Sequence, residues 1–196
     1  MRVYLAGPDV FLPDPQARAA AMKAICLSHG ITGISPLDPL DDEPSAWADL
    51  HEPFRIARRN EAHIASCVAL VANLTPFRGP SADTGTVFEL GFMRALGRPV
   101  YGWTNVATAF ATRTRTFLGV EGETDANNML IEDFTPLADN LMIDAAIAAS
   151  HGSLIRHPGC PPEERWTSLD AFDLCIAELA RKSGVVSHHP PALPDD

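Results

Sequence analysis

The sequence predicts an α/β domain: a doubly wound parallel sheet of four to five strands with helices on both faces. Three observations carry this prediction. Short apolar runs of strand length alternate with segments of helical periodicity. The runs close on turn-forming residues, such as Gly7-Pro8 after the first and Ser35-Pro36 after the second. The chain has 196 residues, 46% hydrophobic and 20% charged, which suits one globular domain with a full core. Residues 1–183 are read as a single catalytic domain and 184–196 as a mobile tail.

Val3 to Ala6 is the first strand. Pro13 and Pro15 allow a helix to start, and Ala17 to Leu27 carry it to a stop at Gly30. Ile31 to Ile34 is the second strand. Leu37 to Pro53, rich in proline and acid, is long enough for a binding loop. Phe54 to Ser66 is a helix, and Val68 to Leu74 is the third and most apolar strand. Val87 to Leu96 is a helix ending at Gly97, and Pro99 to Trp103 is a fourth strand. Ala107 to Gly122 has no clear pattern, and Met129 to Phe134 is read as a short fifth strand. Leu141 to Ala149 is a helix. Ser168 to Lys182 is an amphipathic helix with Ser168 as its N-cap. Strand–helix alternation makes the connections parallel crossovers. A flavodoxin-like order then sets the loop after Ala6 beside the loop after Leu74.

Composition removes several function classes. A formal charge of −10 argues against a nucleic-acid polymer or an anionic membrane surface as partner. No apolar stretch approaches the roughly 20 residues of a spanning helix, and no leader pattern opens the chain, so a cytoplasmic protein is expected. Cys26, Cys67, Cys160 and Cys175 show no paired spacing, so reduced and mostly buried thiols are expected. The seven histidines form no metal-binding spacing, and neither glycine-rich nucleotide fingerprint is present. No metal and no cofactor are therefore expected.

Candidate chemistry concentrates in Pro76 to Gly91. Asp83 and Glu89 fall on a glycine-bearing turn and the helix start after the third strand, where open α/β sheets bind ligands. In a first helical turn Glu89 would gain from the backbone dipole, favouring ionisation and suiting a nucleophile. Simple helix-start electrostatics is the alternative. Gly85 and Gly91 flank it in a turn that would admit a ligand closely. Asp83 reads either as an N-cap or as an acceptor for a sugar hydroxyl. Tyr4 reads either as a core tyrosine or as a phenol that holds Glu89. In the first loop, Gly7 and Asp9 read as a plain turn or as a close approach to substrate. Phe11 reads as core or as a platform for a flat ring.

Four segments taken together resemble the nucleoside 2-deoxyribosyltransferases: Tyr4 to Phe11, Ala72 to Gly79, Asp83 to Gly91 and Ala95 to Val100. Asn140-Leu141-Met142 is similar to a late element of that family. The matches run in order and cover most of residues 2–142. The resemblance implies a flavodoxin-like fold and exchange of the base on a 2'-deoxynucleoside for a free nucleobase. By position, Glu89 is the nucleophile at the anomeric carbon, Asp83 binds the deoxyribose hydroxyls and Tyr4 orients Glu89. Gly7, Asp9, Phe11, Asp38, Asn60, Gly79, Gly85, Asn140 and Met142 take substrate-binding positions. Asn140 reaches into a neighbouring subunit's site, which implies a homo-oligomer. Asn60 stands where some members carry an aspartate, and an amide cannot act as a carboxylic acid. The proton for the departing base then comes from Asp38, Glu61, water or Glu89 itself.

Three other functions are compatible with the fold. One is a hydrolase of deoxynucleoside 5'-monophosphates, with Arg78 and Ser81 near the phosphate. A receiver-type signalling domain would need an aspartate where Asn73 stands. A non-catalytic nucleoside-binding module is the third.

Overall fold

The computed structural model describes residues 1–184, so the expected tail, with His188 and His189, falls almost wholly outside the described residues. Five parallel strands are β1 (Arg2–Ala6), β2 (Thr32–Ile34), β3 (Ala69–Asn73), β4 (Val100–Thr104) and β5 (Leu154–Arg156). Their order across the sheet is β2-β1-β3-β4-β5, which is the flavodoxin-like arrangement. Six helices surround them: α1 (Pro15–Ser28), α2 (Glu52–Ser66), α3 (Thr84–Ala95), α4 (Phe110–Leu118), α5 (Leu141–Ala149) and α6 (Asp170–Ser183). Among the described residues, no helix is long and apolar enough to cross a membrane.

The period-2 alternation of strand side chains sorts the core into two layers. Val3, Leu5, Val71, Tyr101 and Trp103 face α1 and α6, against Met22, Cys26, Phe172, Cys175 and Ile176. Tyr4, Ala6, Leu70, Ala72 and Val100 face the other way, against Ile64 of α2, Leu90 and Met93 of α3, and Ile143 and Ile147 of α5. This alternation has a functional consequence. It sends Tyr4 to the side of the sheet that carries α2 and α3.

Three sequence expectations are corrected. The fifth strand is not Met129 to Phe134, whose pairing is a single antiparallel bridge between Thr124 and Leu130. Met129 and Leu130 are 66% and 81% exposed, so this apolar run points outward. The true β5 is a three-residue, half-buried edge strand, too short for a periodic signal. Ala107 to Gly122 contains α4, closed by Gly119 in the left-handed region at φ 67°. Ser168 stands one residue before the N-cap position of α6, which Leu169 holds without a side-chain bond, although the Ser168 hydroxyl accepts from the Asp170 N–H at 3.3 Å. The Ser168 carbonyl accepts from the Asn105 amide at 3.0 Å.

Candidate active site

A cavity of about 350 Å³ opens where the loops after β1, β2 and β3 converge, at the carboxyl ends of the strands. Its walls divide by chemistry. Val10, Phe11, Pro36, Leu37 and Ile56 form an apolar side. Asn60, Asp83, Thr86 and Glu89 form a polar side, with Gly7 and Gly85 completing the lining. Apolar walls with a few convergent polar groups are the usual make-up of a small-molecule site.

The polar side is built by three elements. α3 begins at Thr84, three residues earlier than the apolar pattern indicates, because Asp83 caps it. Asp83 Oδ2 accepts from the Thr86 backbone N–H at 2.9 Å and from the Thr86 hydroxyl at 3.1 Å. Both readings of Asp83 are therefore compatible: one oxygen caps the helix while the residue lines the cavity.

The early start moves Glu89 into the second turn of α3, not the first. The helix dipole weakens beyond the first turn, so it does not set the charge state of Glu89. Burial dominates instead and pushes the Glu89 carboxyl up to about 7. Hydrogen bonds from Tyr4 and Asn60 oppose this, and the Asp83 charge adds to it. The expectation of a readily ionised carboxylate is thus corrected: near neutrality Glu89 exchanges between its two forms.

The Tyr4 hydroxyl donates to Glu89 Oε1 at 2.6 Å, and Asn60 Nδ2 donates to the same oxygen at 3.4 Å. Tyr4 has no solvent exposure, and burial, reinforced by the Glu89 charge, raises its phenol far above the ordinary range. The phenol remains a donor at any working pH. Tyr4 is both a core residue and the group that holds Glu89. Two donors on Oε1 leave Oε2 without a protein partner among the described residues.

The structure separates the remaining site candidates. Gly7 lines the cavity, yet its lack of a side chain is demanded from behind. A Cβ there would stand 2.7 Å from the Cβ of Asn73. Asp9 does not line the cavity: it is buried and bonded to Arg18 Nε and Asn73 Nδ2, each at 2.8 Å. Asp38 pairs with Lys23 and accepts from the Ser35 backbone N–H, shaping the turn that presents Pro36 and Leu37. Glu61 faces Arg58 at 3.7 Å. Gly79 lies outside the lining, in open space. Asn140 caps α5, its Oδ1 accepting from the Met142 N–H at 3.0 Å, and its amide donates to Glu132. Neither Asn140 nor Met142, which is 68% exposed, lines this chain's own cavity.

Sequence reasoning missed the supports. Asp139 is fully buried. It accepts from the Ser81 hydroxyl, the Ala82 N–H at 2.9 Å and the Asn140 N–H at 2.8 Å. Arg113 stands 3.6 Å away and donates to the carbonyls of Pro80 and Ala138. The turn that leads to Asp83 is thereby tied to the start of α5. The signal in the sequence was an Asp directly before Asn140, and its partners lie 57 and 58 residues away.

Comparison with known proteins bears on the family and the fold. The family model described as nucleoside 2-deoxyribosyltransferase matches residues 3–142. An uncharacterized protein of Schizosaccharomyces pombe is 31% identical over 116 residues, covering 59% of this chain. The match spans about half of that curated relative's own length, 55%. Among solved structures, a 2-desoxiribosyltransferase from Leishmania mexicana is 28% identical with a TM-score of 0.55. The match covers 76% of this chain and 95% of that one. A conserved protein from Enterococcus faecalis shares the fold, with a TM-score of 0.54 at 18% identity, over 93% and 98% of the two chains. The cavity at the carboxyl ends of β1 and β3, the Tyr4–Glu89 pair within it and the match over residues 3–142 converge: this chain belongs to the nucleoside 2-deoxyribosyltransferase family.

Proposed function

We propose that this protein exchanges the base of 2'-deoxynucleosides for a free nucleobase through a covalent deoxyribosyl–Glu89 intermediate, with net retention. The observation that carries the reading is the 2.6 Å bond from Tyr4 to Glu89 Oε1 inside a cavity with one apolar wall. Held by one oxygen, the ionised carboxylate presents Oε2 to the anomeric carbon. In the first half-reaction an ester bond forms between Oε2 and that carbon. The N-glycosidic bond breaks, its electron pair leaves on the base nitrogen, and that nitrogen takes up a proton. In the second half, a ring nitrogen of the incoming base attacks the same carbon, the ester bond breaks, and that nitrogen's proton is released. Two inversions give retention.

The proton passes through water in this scheme. Asn60 cannot supply it, and Asp38 and Glu61 are held by Lys23 and Arg58 outside the cavity lining. Asp83 binds the sugar hydroxyls with the oxygen that does not cap α3. Phe11 provides a flat ring for the base and Leu37 an aliphatic wall beside it. The test is incubation with deoxyadenosine and cytosine, then chromatography. Deoxycytidine and adenine are expected in equal amounts, with a deoxyribosyl adduct on the Glu89 peptide by mass spectrometry. Free deoxyribose without any swapped nucleoside, or an adduct on another residue, overturns the reading.

A further inference from the structure

A second cavity of about 300 Å³ adjoins the first, with Phe11 in the wall of both. It is lined by Pro8, Phe11, Leu12, Phe77, Arg78 and Trp166. Its size is at the lower end of small-molecule sites. Its surfaces are flat rings: Phe11 stacks on Phe77 with centroids 5.3 Å apart and planes 12° from parallel. Trp166 meets Phe77 edge-on at 6.0 Å. The Arg78 guanidinium lies over both phenylalanines, 4.5 Å from the Phe77 centroid and 5.2 Å from that of Phe11.

Stacking occupies the face of a guanidinium and leaves its in-plane N–H donors available. Among the described residues, the Arg78 guanidinium donates no hydrogen bond and makes no ion pair. The backbone of Arg78 is left-handed, at φ 55°, an unfavourable conformation for a side chain of this kind. It sits in a turn closed by the Phe77 N–H donating to the Ser81 carbonyl at 3.0 Å.

The two walls are pinned to each other by Arg18, a buried cation. Its Nε binds Asp9 at 2.8 Å, in the loop that carries Phe11, and its NH1 group donates to the Thr167 carbonyl at 2.9 Å, next to Trp166. Asn105 adds bonds to the carbonyls of Arg165 and Ser168, on either side of Trp166. Arg18 and Thr167 are 149 positions apart in sequence, yet their bond helps to form a preorganised aromatic shelf.

We propose that this shelf is a second binding station for a free nucleobase. The base stacks on the Trp166 ring, the Phe11–Phe77 pair forms the side wall, and Arg78 donates in the base plane to a carbonyl oxygen or ring nitrogen. The inference rests on the base-exchange reading above and deepens it. An ester intermediate is equally open to water, so exchange requires the acceptor to arrive first. A base held beside Phe11 is at high effective concentration and narrows the path for water.

Titration of the whole protein with adenine tests this by calorimetry and by tryptophan fluorescence. Two equivalents of adenine are expected, one of them quenching Trp166, with the quench abolished in Trp166→Phe. The second equivalent should be lost in both Phe77→Ala and Arg78→Ala. The ratio of exchange to hydrolysis should fall about tenfold in these variants. Arg78 is exposed, so Arg78→Ala keeps the test available if Phe77→Ala fails to fold. A single equivalent in the wild type, or a second one surviving in Arg78→Ala, overturns the proposal. Inorganic phosphate quenching Trp166 where adenine does not also overturns it and makes the shelf an anion site. Binding is read without turnover. Two equivalents with no exchange would refute the transferase reading and leave the shelf standing.

Discussion

At the scale of single residues, the proposed chemistry turns on how Glu89 keeps a usable charge in a buried position. Burial raises its carboxyl to about 7, and the Tyr4 hydrogen bond is the largest influence in the opposite direction. On the proposed mechanism Glu89 must be ionised to attack, so kcat/KM should rise with pH and level off just above neutrality. Removing the phenol in Tyr4→Phe takes away a donor that favours the charged form, so the Glu89 carboxyl moves further up. The rising limb should then shift to higher pH. A hydrogen bond to a charged group contributes about 1.5–3 kcal/mol, so activity at pH 6 should fall at least tenfold. The deficit should narrow toward pH 9. A pH–rate profile of both proteins checks this, and a uniform loss at every pH would show that Tyr4 acts only in packing.

At the scale of elements, the loop between β1 and α1 is held by a buried ion pair. Asp9 and Arg18 have side chains 11% and 8% exposed, and Asn73 completes the bonding of Asp9. Asp9→Ala leaves the Arg18 charge buried and partly unpaired, which should destabilise the protein by about 3–5 kcal/mol. Urea unfolding measures this, and a near-wild-type midpoint would show that the Asp9–Arg18 pair does not hold the loop. This loop shows what the sequence can and cannot carry. The β1-to-β4 frame was legible because strands buried on both faces read as apolar runs. The turn after β3 was legible because Asp83, Gly85 and Glu89 stand out among small residues. Tyr4 was legible as a choice of two roles, and the 2.6 Å bond shows that one phenol can serve both. The Asp9–Arg18, Asp139–Arg113 and Trp166 supports were not legible. Each depends on partners brought together only by the finished sheet. The edge strand β5 and helix α4 were missed for a related reason: both are short, and their neighbours rather than their own patterns define them.

At the scale of the whole molecule, five of the exposed apolar side chains stand close in sequence to Asn140. Met129, Leu130, Phe134, Leu141 and Met142 are 66%, 81%, 59%, 37% and 68% exposed. They flank Glu132, which receives both the Asn140 amide and the Leu141 N–H. Exposed apolar side chains gathered in one stretch of chain are candidates for an interaction surface. Asn140 lies outside its own chain's cavity, and we propose that a second copy docks here and brings Asn140 to the neighbouring site. Such an arrangement makes each site a product of two chains, and subunit mixing can read it. Glu89→Gln removes the proposed nucleophile from a chain's own cavity, and Asn140→Ala removes the residue that, on this proposal, it lends. Each variant alone should be nearly inactive. Mixed one to one and allowed to exchange subunits as a two-fold dimer, half the assemblies are hybrids with one intact site each. Activity should recover to about a quarter of the wild-type level. Met142→Glu places a charge in the apolar surface, so it should yield monomers by sedimentation and abolish that recovery. Full activity in a Met142→Glu monomer would mean that each chain carries a complete site and that Asn140 serves only as the cap of α5.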